Sequence, residues 1–146
     1  MPQTVSHPHP PRYLFAYGTL RRGGMNDIGR LQPAARYVGP ATVAGVLYHL
    51  GAYPGMTLGG ADRVHGEVYA IEPALEALLD EIEDLGANPT DEYAKREVPV
   101  SVAGEVLQCL VYEINPRYVQ LAKRIPHGDW MICPEAMSAY SRDVPS

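Results

Sequence analysis

The chain has 146 residues, of which 46% are apolar and 20% charged, with a formal net charge of −5 and a pI near 5.5. That length suits one domain, able to bury about two thirds of its unfolded surface. The acidic balance argues against a nucleic-acid partner, since the densest cations are only Lys95-Arg96 and Lys123-Arg124 and no basic stripe forms.

No apolar run nears the roughly 20 residues that span a bilayer, so neither a membrane partner nor a location outside the cytoplasm is expected. The two cysteines, Cys109 and Cys133, show no CxxC spacing. They indicate neither a zinc site nor a redox motif. Met1 to Arg12 carries His7, His9 and four prolines without an apolar core. It reads as a disordered tail rather than a secretory signal, which leaves residues 13–146 as a single domain.

In chain order, Tyr13 to Tyr17 is an aromatic and apolar run closed by Gly18, the pattern of a buried strand entering a turn. Arg21 to Asp27 reads as a loop leading to a short helix. Strands follow over 36–38, 41–50 and 64–71, with a turn cluster at Gly51 to Gly55. Leu75, Leu78, Leu79 and Ile82 then recur at helical spacing, predicting an amphipathic helix over 73–85 with Pro73 in its first turn and Gly86 at its exit. Alternation at Val98, Val100 and Val102, then the run 106–114 after Gly104, predicts a hairpin. Two short helices are expected at 117–124 and 134–140, around a loop at His127-Gly128-Asp129-Trp130. Strands outnumber helices and no helix follows each strand. The expected class is therefore α+β, with a small curled, mostly antiparallel sheet or β-barrel and flanking helices.

Two places could carry chemistry. Tyr17-Gly18-Thr19-Leu20 ends an apolar strand on a glycine. Such a turn can be plain, or it can present consecutive N–H groups to a carboxylate or oxyanion. Glu83 lies nearer the apolar stripe of its helix than Glu76, Asp80, Glu81 or Asp84, with Asp80 and Asp84 on the far side. In the last helical turn the dipole tends to raise a carboxylate's pKa, which suits a general base. A boundary glutamate with no chemical role would occupy the same position. The cysteines have no histidine at a spacing that supports a thiol nucleophile.

An ordered set of segments resembles the γ-glutamylcyclotransferase-like family, which includes γ-glutamylamine cyclotransferases and plant avirulence-induced relatives. It comprises Tyr17 to Gly23 with Asn26, Gly45 to Tyr48, Leu50 to Met56, Gly66 to Tyr69, Leu79 to Glu83, Tyr93 with Val98 and Val100, and Val111-Tyr112. The resemblance implies a small barrel or curled sheet and a substrate cradle of backbone amides over Tyr17, Gly18, Thr19 and Leu20. It also implies Glu83 as acid/base and Tyr93 near the pocket. Departures are Asp84 where glycine is common, Asp27 where histidine is common, and Lys95 in place of an arginine. The implied reaction releases 5-oxoproline and a free amine from a small-molecule γ-glutamyl amide, with no cofactor. The alternative is a non-catalytic binding module of the same fold. The leaving amine and the oligomeric state are open.

Overall fold

The computed structural model describes residues 12–24, 27–51, 53–82 and 92–132. Glu83 and Asp84, Cys133, residues 1–11 of the tail and the helix expected at 134–140 lie outside the described residues. Six strands form one sheet: β1 (Arg12–Ala16), β2 (Arg36–His49), β3 (Pro54–Ile71), β4 (Tyr93–Val102), β5 (Glu105–Ile114) and β6 (Lys123–Arg124). Their order is β4-β5-β1-β3-β2-β6. Every pair is antiparallel except β1 with β5, where Tyr13 stands beside Cys109 and Leu14 beside Leu110. Helix α1 spans Pro73–Ile82. The sheet curls strongly: a methyl placed on Gly39 of β2 would lie 3.1 Å from Val102 Cγ2 of β4, although three strands stand between them. The expected α+β class and curled, mostly antiparallel sheet are what the chain forms.

Strand alternation sends neighbouring residues to opposite faces, and here each face has its own core. Phe15, Val68, Val100, Cys109, Val111 and Trp130 pack inside the curl. Leu14, Ala16, Tyr69, Ile71, Leu110 and Tyr112 pack outside it, against Leu75 and Leu79 of α1.

Several boundaries differ from expectation. β2 is continuous from 36 to 49 because the register shifts between Tyr37 and Gly39 and then keeps Gly39 and Pro40 paired with Val68 and Glu67, and β3 begins at Pro54. Ala44 pairs with Arg63 but Gly45 with Leu58, so residues 59–62 loop out of β3, and Gly59-Gly60 reads in sequence as a break. Only a 3₁₀ turn, Pro116–Tyr118, stands where a helix was expected at 117–124. Leu121 is fully exposed, so a helix there would have had little apolar face to bury, and Lys123-Arg124 pair with β2 instead. Arg12 belongs to β1 rather than to the tail.

The helical-wheel placement of Asp80 on the far side is also overturned. Lys95 of β4 reaches the flank of α1 and donates to Glu76 at 2.7 Å and to Asp80 at 2.9 Å, while the Tyr112 hydroxyl donates to Asp80 at 2.8 Å. Arg12 adds a second ion pair to Glu76. A wheel counts only apolar burial and misses a long cation arriving from a strand. Burial works against the Glu76 carboxylate, but the Lys95 and Arg12 hydrogen bonds outweigh it and hold its pKa below the ordinary value. Burial likewise opposes the Lys95 ammonium, and its carboxylate partners still raise its pKa.

A depressed carboxylate pKa means that the Glu76 contribution is present above about pH 4.5 and is lost as the pH falls through the lower folded value. Lys95→Met should therefore flatten the acid limb of a stability-versus-pH curve, measured by urea unfolding between pH 3 and 6. An unchanged limb would show that the pair is not felt. In the β4–β5 turn, Ala103 has φ 51° ahead of Gly104 at φ 80°, a two-residue connection that prefers Asn-Gly. Ala103→Asn should raise stability by about 0.5 kcal/mol, read as an increased unfolding midpoint.

Candidate active site

The site begins where β1 stops. β1 pairs with β3 up to Ala16–Glu67, and beyond that point Tyr17 leaves the sheet while its flanking strands continue. The Tyr17 ring is buried, and its hydroxyl donates to the Tyr112 carbonyl at 2.7 Å and accepts from the Met56 amide at 3.2 Å. One phenol thus bridges β5 and β3 across the gap left by β1. Gly18 follows, packed so closely that a Cβ would lie 2.8 Å from Pro54 Cγ, which makes glycine the residue that fits. The Arg21 amide returns to the Gly18 carbonyl at 3.1 Å and closes a turn over 18–21. Among the described residues, the amides of Gly18 and Leu20 donate no hydrogen bond.

This turn forms one wall of a cleft of about 290 Å³, near the lower end of the range for small-molecule sites. Tyr17, Gly18, Thr19 and Leu20 all line it, as does Tyr93, so the structure brings these predicted residues together. The Tyr93 hydroxyl donates to the Pro54 carbonyl at 3.0 Å. Ile82, the last residue of α1 and the one before Glu83, also lines the cleft. Sequence reasoning missed Tyr53 and Glu92, whose side chains meet at 2.6 Å on the cleft wall. Tyr53 lies in the turn cluster, where nothing in its spacing marks it.

A second set behind the cradle also went unread. Arg21, with 12% of its side chain exposed, ion-pairs with Asp129 at 2.6 Å and Glu67 at 3.4 Å. The other Glu67 oxygen accepts from the Arg22 amide at 2.9 Å and the Tyr69 hydroxyl at 2.8 Å. Burial and the Glu67 hydrogen bond together push the Tyr69 phenol well above its usual range. Asp27, one of the departures from the family pattern, accepts from the amides of Gly23 and Gly29, which lower its pKa. Cys109 is fully buried in the inner core, and burial pushes its thiol up to about 11, so it is unsuited to nucleophilic work. Among the described residues no cluster of three or more His, Cys, Asp or Glu could hold a metal ion, and no helix is long and apolar enough to cross a membrane.

The "Gamma-glutamyl cyclotransferase, AIG2-like" family profile matches residues 14–132. The chain belongs to the gamma-glutamyl cyclotransferase, AIG2-like family. It is 38% identical over 127 residues to a Vibrio cholerae protein with a provisional gamma-glutamylcyclotransferase name, covering 80% of this chain and 93% of that one. It is 34% identical over 119 residues to the gamma-glutamylcyclotransferase family protein YtfP of Escherichia coli K12, covering 81% and 95%. The crystal structure of a mouse AIG2-like protein superposes with a TM-score of 0.69 at 24% identity, over 86% of this chain and 92% of that one, a likeness of fold.

Tyr17→Phe keeps the ring but strips the Met56 amide of its phenol acceptor. It should cost about 1–3 kcal/mol, measured by denaturant unfolding. A variant as stable as the parent would show that the bridge across the gap is dispensable.

Proposed function

We propose that the protein is a γ-glutamyl cyclotransferase, releasing 5-oxoproline and a free amine from a γ-glutamyl amide, with Glu83 as general acid/base. The observation that carries this reading is the convergence of three separate elements on one cleft: the turn Gly18–Leu20, Tyr93 of β4, and the end of α1 at Ile82, the neighbour of Glu83.

The reaction is an intramolecular aminolysis. The substrate's α-amino nitrogen attacks its own γ-carbonyl carbon, the five-membered lactam forms, and the bond from that carbon to the leaving nitrogen breaks. Nucleophile and electrophile belong to one molecule, so the enzyme's task is to fold the substrate into a near-attack shape and to move protons. A carboxylate at Glu83 would take a proton from the α-ammonium and deliver one to the departing nitrogen. The amides of Gly18 and Leu20, which donate to no acceptor among the described residues, are suited to hold the γ-glutamyl group or the oxyanion as it develops. The Tyr93 hydroxyl, fixed on Pro54, is suited to orient the substrate rather than to carry the main proton.

The test is a panel of γ-glutamyl amides assayed for 5-oxoproline, first with the parent and then with Glu83→Gln. Turnover should fall by a factor on the order of 10² to 10⁴ while ligand affinity holds. A parent that binds γ-glutamyl compounds without releasing 5-oxoproline would instead identify a binding module. A Glu83→Gln variant that turns over like the parent would remove Glu83 from the proposal.

A further inference from the structure

We propose that Glu67 and Asp129 are positioning residues for the 18–20 cradle, acting through Arg21. Arg21 is the residue whose amide closes the cradle turn onto the Gly18 carbonyl, and its side chain is gripped from two directions. Nη1 meets Asp129 Oδ1 at 2.6 Å, and Nε meets Glu67 Oε2 at 3.4 Å, with the His65 carbonyl at 3.5 Å from Nη1. The same Glu67 carboxylate holds the next amide, that of Arg22, through Oε1 at 2.9 Å. Two successive residues at the exit of the cradle are therefore fastened to β3 by one side chain. The Arg22 guanidinium is turned away and lies 4.3 Å from the centre of the Tyr37 ring.

Asp129 is itself held rigidly. Gly128, at φ 70°, accepts from the His65 amide at 2.8 Å and sits so close to Arg63 that a Cβ would overlap the Arg63 carbonyl oxygen. On the other side Trp130 is fully buried in the inner core. Between these anchors, Asp129 Oδ1 also accepts from the Met131 amide at 3.0 Å. The His127-Gly128-Asp129-Trp130 segment thus presents a fixed carboxylate to the back of the cleft wall.

Stability is a poor reason for this cluster. One guanidinium with two carboxylates leaves a negative charge in excess, all three side chains are less than one fifth exposed, and desolvation offsets much of what such pairs return. What the arrangement supplies is a fixed backbone at the residues that shape the cradle, the kind of support a binding site needs to hold its geometry.

Amide hydrogen exchange reads this directly, and it does not depend on the cyclotransferase reading. In Asp129→Asn, exchange across residues 18–24 should speed by tenfold or more, while β1 and residues 63–71 of β3 keep parent rates. Glu67→Gln should shift the same residues in the same direction, and Asp129→Glu should restore part of the protection. Unchanged exchange at 18–24, or acceleration spread evenly over the whole chain, would overturn the proposal. The kinetic arm does rest on that reading: with a γ-glutamyl amide that the parent converts, Asp129→Asn should raise KM about tenfold with kcat within about threefold. A fall in kcat at constant KM would overturn the positioning role. If the parent releases no 5-oxoproline from any amide, the cyclotransferase reading falls, and the exchange result still decides whether Glu67 and Asp129 hold the 18–20 turn through Arg21.

Discussion

Everything about the cleft depends on β1 ending at Ala16 while its neighbours on both sides run on. A parallel strand next to an antiparallel one would normally leave unpaired backbone at such a stop, and buried backbone without partners is costly. The Tyr17 hydroxyl meets that demand on both sides by serving a donor on β3 and an acceptor on β5. The gap can then stay open as a cleft beyond the phenol instead of collapsing. Tyr93 repeats the solution one strand further out, reaching from β4 to the Pro54 carbonyl. The abundance of tyrosine against a single Phe and a single Trp makes sense in these terms, because a ring that packs and an oxygen that bonds are needed at the same positions.

Most of the architecture was legible because alternation and helical spacing are local signals. β5, the core of β1 and the stripe of α1 follow directly from where their apolar residues fall. What escaped was everything decided by partners far along the chain. The first half of β3 reads in sequence as a Gly-rich break because Gly59 and Gly60 belong to a loop-out that only pairing with β2 defines. Glu76 and Asp80 looked like solvent-facing helix acids because nothing near them in sequence announces Lys95. In the site, the strand-to-glycine turn was visible as a candidate, and family resemblance supplied Tyr93. Arg21, Glu67 and Asp129 come from three distant segments, and no spacing rule connects them.

Lys95 and Asp27, two of the positions singled out in the sequence, each hold more than one local partner. Lys95, in place of a common arginine, still spans two carboxylates on α1, since its flexible ammonium can donate to both. Asp27 turns its carboxylate onto two loop amides, those of Gly23 and Gly29.

The position of β1 in the sheet also bears on how the protein is made. Its pairing partners are residues 67–71 on one side and Cys109 and Leu110 on the other, all supplied by segments far downstream. During synthesis the apolar run Tyr13 to Tyr17 has no local partner: one edge waits for β3 and the other for β5, the last long strand to leave the ribosome. Long-range pairing of this kind is slow to form and leaves sticky surface uncovered in the interval. The central strand that later defines the cleft is therefore also the segment on which a chaperone would have most to grip.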